Sequence, residues 1–112
     1  MKVTDYHKVP LEAVEMEEAK NVKVRWLISD KDNARNFAMR LFELGPKGNT
    51  PYHTHDWEHE VFVLEGEGEA KIEGKVYPIK KDSVVFIEPD QKHSFKNTGN
   101  DELKFLCLIP YK

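Results

Sequence analysis

Cys107 is the only cysteine in the chain. One thiol cannot close an internal disulfide, which fits a reducing, cytoplasmic compartment. Long apolar runs are missing as well, and no stretch approaches the ~20 residues that a membrane-spanning helix needs. The opening residues, Met1-Lys2-Val3-Thr4-Asp5-Tyr6-His7-Lys8, have no apolar stretch behind their charge, so no secretory signal is expected. There is no basic stripe either. Lysine and arginine (17) are interspersed with aspartate and glutamate (20) for a net charge of −3, so nucleic acid is not an expected partner. Internal repeats and low-complexity segments are absent. Helical composition is confined to Leu11–Lys20, where Leu11, Ala13, Val14 and Met16 make a poor apolar stripe. That stretch reads equally as a short helical turn or an extended segment.

What remains is strand. With 112 residues, of which 39% are hydrophobic, the chain is expected to form one domain, residues 1–112, with a modest core. Val22–Ile28 begins with apolar–polar alternation and is rich in β-branched residues. Phe37–Phe42 reads as a second strand, closed by the breakers Gly45-Pro46-Lys47-Gly48. Tyr52–Leu64 contains strand-like residues, and Gly66 and Gly68 mark a turn after it. Glu69–Glu73 alternates strictly, and Gly74-Lys75 leads tightly into Val76–Ile79. Ser83–Ile87 ends at Pro89, and the last strand runs from Leu103 to Ile109. Many short strands with regular turns indicate an all-β sandwich or barrel.

Histidines supply the chemistry. Four of the five fall in two short windows, His53, His55 and His59 in one and His93 in the other; His7 stands apart in the polar N-terminal segment. In a strand, residues two apart share a face and lie about 6.6 Å apart, so both imidazoles of His53-Thr54-His55 can lean toward one point. Unbroken alternation would bring His59 to the same face. Several buried imidazoles without a metal would each need a separate hydrogen-bonding partner. One divalent transition metal held by His53, His55, His59 and His93 is therefore expected. Imidazole suits Zn, Cu, Fe and Ni and leaves Mn possible. Four neutral ligands on a six-coordinate ion leave two positions open, whereas a tetrahedral zinc closed by four histidines would be structural.

These windows resemble the two motifs of the cupins. Gly48-x4-His53-x-His55-x3-His59-Glu60, followed by Gly66, is similar to the first, and Glu88-Pro89-Asp90-Gln91-Lys92-His93-Ser94-Phe95-Lys96-Asn97 to the second. The resemblance spans Phe37–Ile109 and implies a double-stranded β-helix, or jelly-roll, with the metal inside its wider end. The run His55-Asp56-Trp57-Glu58-His59-Glu60 resembles small single-domain members with four-histidine manganese-type sites, so Mn or Fe is favoured. In the family's first motif a glutamate follows the second histidine after three or four residues. Three places His59 there and four places Glu60, so Glu60 is the alternative ligand if a β-bulge shifts the parity. Asn97 is read as capping a turn rather than touching the metal.

The rest of the pocket follows from alternation. If Lys104 points out, then Phe105, Cys107 and Ile109 face in, and Cys107 is either a buried apolar residue or a pocket thiol. Arg40, in an otherwise apolar strand, either snorkels outward or binds a substrate carboxylate or enolate. Trp57 reads as core packing. The cupins serve many functions. The leading expectation is a dioxygenase-type oxidoreductase on a small organic substrate, with Arg40, Phe105, Cys107 and Ile109 in the pocket and no catalytic residue singled out. The alternatives are a metal-dependent isomerase or lyase, for which Glu60 is the general-base candidate, and a non-catalytic binding module. Residues 1–20 carry apolar side chains without a place in a closed barrel, and are expected to pack on the partner in a homodimer.

Overall fold

Alternating burial shapes the architecture. In β2 (Lys20–Ile28), Val22 and Val24 are buried while Lys23 between them is exposed; in β4 (His59–Glu65), His59, Val61 and Val63 are buried while Glu60 and Phe62 are exposed. Each strand thus offers one apolar row, and a sheet must curl to bring such rows together. The computed structural model describes residues 1–111. The other strands are β1 (Glu12–Ala13), β3 (Phe37–Asn49), β5 (Glu67–Ile72), β6 (Lys75–Lys80), β7 (Val84–Ile87), β8 (His93–Asn97) and β9 (Leu103–Pro110). Single 3-10 turns at Tyr6–Lys8 and Asp30–Asp32 are the only helical elements among the described residues. The strands run in the order β6-β5-β8-β3-β9-β4-β7, with β2 and β1 added beside β3, and every pairing is antiparallel. This is the all-β jelly-roll that the sequence implied.

The inward rows stack in register across the central strands. Phe42 pairs with Phe105, which pairs with Val63; one rung further along, Arg40 pairs with Cys107, which pairs with Val61. At one end of the barrel Leu44, Val63 and Leu103 are fully buried and close the core. At the other end the same rows deliver Arg40, His59 and Ile109 to an open cavity.

Two glycines show how tightly the closed end is built. Gly66 links β4 to β5 at φ +87°, a region other residues enter only under strain. A Cβ on Gly68 would stand 2.2 Å from the Lys96 carbonyl oxygen of β8. Asn97 occupies the same end, 1% exposed, with its side-chain amide donating to the carbonyls of Leu44 (2.9 Å) and Asp101 (2.8 Å) and accepting from the Gly99 N–H (2.9 Å). It is the turn-capping residue that the sequence suggested.

Two expectations need correction, and one open alternative is decided. Gly45-Pro46-Lys47-Gly48 does not end β3, which continues to Asn49. The register with β2 instead jumps from Val22↔Leu44 to Lys20↔Asn49, so the four breakers form an excursion within the strand. Of the two readings left open for Leu11–Lys20, the extended one is found: it contributes the short strand β1 on β2. Tyr52–Leu64 is not one strand: His53 makes an isolated bridge, and β4 starts only at His59.

Within the single chain, the N-terminal segment that is expected to pack on a partner is tied to β2 through β1 and the Val14 N–H, which donates to the Val22 carbonyl at 2.9 Å. Val9 is buried, and Arg25 holds the segment by donating from Nη1 to the Val9 carbonyl (2.6 Å) while its Nε pairs with the Glu43 carboxylate at 2.9 Å.

The Asn97 network yields a stability prediction. Asn97→Ala leaves buried main-chain groups without partners and should cost about 2–4 kcal/mol. A lower urea midpoint with unchanged metal affinity is the expected result.

Candidate metal centre

His53 and His93 are placed by main-chain hydrogen bonds. Each donates its N–H to the other's carbonyl, at 3.1 and 2.9 Å, making a two-residue bridge at the start of β8. Their ring centroids lie 4.9 Å apart. His55 follows in a non-strand segment, anchored by its carbonyl, which accepts the Asp90 N–H at 2.8 Å. Its ring lies 5.2 Å from that of His53 and 5.0 Å from that of His93. One face of His55 is covered by Trp57, stacked at 4.2 Å with planes 2° apart. Trp57 therefore packs on the histidine cluster rather than in the core.

The Nδ1 atoms of these three rings lie beside backbone carbonyls: His53 on Pro51 O (2.8 Å), His55 on Trp57 O (3.1 Å) and His93 on Gln91 O (2.8 Å). A carbonyl only accepts, so each Nδ1 carries a proton, which leaves Nε2 as the nitrogen available to a metal. Burial also holds His55 and His93 below the ordinary imidazole range, so both are neutral near pH 7. One ligand atom from each of His53, His55 and His93 comes within 4.8 Å of the others. Three imidazoles with Nδ1 held by carbonyls and converging nitrogens fit a divalent transition metal.

His59 is built differently. It is 7% exposed at the start of β4, its ring lies 4.3 Å from that of His55 and 4.9 Å from that of His93, and its Nε2 faces the Nε2 of His55. Its Nδ1 meets the Cys107 sulfur at 2.9 Å instead of a carbonyl. Burial, reinforced by the neighbouring histidines and Arg40, lowers its pKa to about 2. For Nε2 to act as a ligand, Nδ1–H must donate to that sulfur, which also accepts from Arg40 Nη2 at 3.1 Å. Burial raises the Cys107 pKa, and Arg40 partly opposes that rise. Glu60 points the other way: it is exposed on the outer face, paired with Phe86 and Leu108.

Residues 54–58 are not paired strand, so even spacing from His55 does not by itself place His59. His59 still faces inward because β4 begins there with its buried row. His7 lies away from this group, with its Nδ1 2.7 Å from Asp5 Oδ1.

The cluster forms the floor of a cavity of about 390 Å³. Arg40, Phe105, Cys107 and Ile109 all line it, as do Trp26, Phe42 and Phe95, which sequence reasoning did not single out. Their signal was the alternation itself: Val22, Val24 and Trp26 form one inward row. Glu12, Ala13, Val14 and Met16 of the N-terminal segment also line it. Glu12 is the only carboxylate among its described lining residues.

Residues 40–109 match the family described as "Cupin domain". The chain is a cupin. Over 79 residues, 70% of this cupin, it is 39% identical to the "Oxalate-binding protein" of Thermotoga maritima, covering 64% of that protein. It spans less than two thirds of the length of the curated relatives it matches. Among solved structures, the polyketide cyclase RemF from Streptomyces resistomycificus superposes with a TM-score of 0.94 at 32% identity, covering 100% of this cupin and 80% of that chain. A predicted oxalate decarboxylase from Thermotoga maritima gives 0.87 at 30% identity, covering 99% of this cupin and 100% of that chain. No described helix is long and apolar enough to cross a membrane.

The geometry makes the ligand set testable by calorimetry. Alanine at His53, His55, His59 or His93 should weaken metal binding by more than the roughly 10–100-fold typical of losing an outer partner, whereas Glu60→Gln should leave it unchanged. Retained affinity in His59→Ala would reduce the seat to three histidines.

Proposed function

We propose that this cupin is a metal-dependent enzyme in which His53, His55, His59 and His93 hold one divalent transition metal, Mn or Fe in preference to Zn, Ni or Cu. In this reading it is an oxidoreductase of the dioxygenase type, acting on a small organic substrate in the apolar cavity. The observation that carries the metal reading is the set of three backbone carbonyls that lock the His53, His55 and His93 tautomers with Nε2 free. When bound, the metal supplies a Lewis acid and, for Mn or Fe, a redox centre. The chain's own contribution is positioning and exclusion of water. Trp57 fixes His55 by stacking, and Phe42, Phe95 and Phe105 offer an apolar body a dry wall.

Glu60, the general base that an isomerase would need, lies outside the cavity, which weighs against that alternative. A second reading, Lewis-acid cyclisation or decarboxylation, is favoured by the likeness to a polyketide cyclase and a predicted oxalate decarboxylase. The test is metal analysis of protein purified without chelators, then oxygen uptake with diketones, catechols and aryl alkenes after loading with Mn, Fe or Zn. The first reading expects uptake with Mn or Fe only. Substrate consumption by Zn-loaded protein without oxygen would replace it with the second.

We also infer a homodimer. Phe62, Val84 and Phe86 are 39, 77 and 55% exposed on the outer face of β4 and β7, and β7 is a free edge on which a second copy would be covered. Sedimentation should give twice the chain mass at micromolar concentration; a monomer there would reject the dimer.

A further inference from the structure

Two arginines of this cupin are drawn partly out of water, and only one is answered. Arg25 has a carboxylate on Nε, that of Glu43 at 2.9 Å, and the Val9 carbonyl on Nη1 at 2.6 Å. Arg40, in the cavity wall, has neither kind of partner. Its guanidinium lies over the rings of Phe42 (4.9 Å) and Trp26 (5.4 Å), and Nη2 donates to the Cys107 sulfur at 3.1 Å. Its Nε–H is buried and has no hydrogen-bond partner. Among the described residues no carboxylate lies within ion-pair distance of it.

Guanidinium does not deprotonate in proteins, so this positive charge persists. Aromatic faces offset part of its desolvation but supply neither an acceptor nor a counter-charge. His59 Nδ1 lies 3.5 Å from Nη2, but an imidazole carries no negative charge in either protonation state. Arg40 is therefore short of one anionic acceptor, since Glu12, the carboxylate among the described lining residues, makes no ion pair with it.

We propose that Arg40 is the anion-holding residue of the cavity, and that the ligand is a flat, largely apolar monocarboxylate. Its acid group takes the guanidinium and its body lies along Trp26, Phe42 and Phe95. The inference rests on reading the cavity as the ligand site, but not on the metal. A carboxylate matches the planar fork of a guanidinium, and a single negative charge balances a single cation. The cavity volume of about 390 Å³ falls in the range of small-molecule sites and leaves room for fused rings.

The test is titration calorimetry on the metal-free full chain with 2-naphthoate and its neutral isostere 2-naphthamide. Wild type should prefer the acid by at least about tenfold, the scale of one charge-assisted hydrogen bond. Arg40→Gln should abolish that preference while leaving amide affinity within about threefold, and Arg40→Lys should keep part of it. Equal binding of acid and amide by wild type, no binding of either, or a preference that survives Arg40→Gln would overturn the proposal. The double variant His53→Ala/His55→Ala separates this inference from the metal reading. If the preference persists there, Arg40 holds the anion whatever the histidines do. If it disappears there but not in Arg40→Gln, the anion sits on the histidine cluster and the proposal fails while the metal reading stands.

Discussion

The site depends on the paired main-chain hydrogen bonds between His53 and His93. They join two stretches forty residues apart in sequence, and they do so with backbone atoms, leaving both imidazoles free. Around that bridge the remaining constraints are also main-chain in origin. Carbonyls of Pro51, Trp57 and Gln91 orient three rings, and the Asp90 N–H anchors the His55 loop. The centre is preorganised because the groups that orient it belong to the fold and carry no side-chain rotamers of their own.

His59 and Cys107 show a different design. Their rows come from β4 and β9, adjacent strands in one sheet, so their contact follows from register alone: Val61 pairs with Cys107, and His59 stands one inward step beyond Val61. A thiol in place of a carbonyl makes the fourth imidazole the least rigidly specified member of the group. That sulfur is shared with Arg40, so His59 and the guanidinium of the wall meet at one atom.

Much of this was legible in the sequence, for reasons that differ by element. The β5–β6 hairpin and β9 could be read because strict alternation and a tight Gly74 turn leave few other choices. The cluster could be read because four histidines in two windows are hard to satisfy separately. Two things could not be read locally. Gly45–Gly48 has breaker composition, but whether a glycine-rich run ends a strand or bulges within it depends on Asn21 and Lys20 of the neighbouring strand, far away in the chain. The period-two argument through His53, His55 and His59 assumed extended backbone, while the segment turns to stack Trp57 on His55. His59 nonetheless faces inward, because β4 restarts the alternation on a buried residue. The carbonyl partners left no side-chain signal at all.

β9, the last strand in the chain, is inserted between β3 and β4 and hydrogen-bonded to both over most of its length. Until Leu103–Pro110 arrives, those two strands each lack a neighbour, and Phe42, Val61 and Val63 have no central row to pack against. Native pairing must therefore close loops of some forty to seventy residues before it gains most of its stabilisation. That places the chain among the slow, non-local folders, with assembly expected on the millisecond-to-second scale. The nascent barrel would meanwhile present two unpaired inner edges, making the period before β9 docks the molecule's most exposed moment for aggregation.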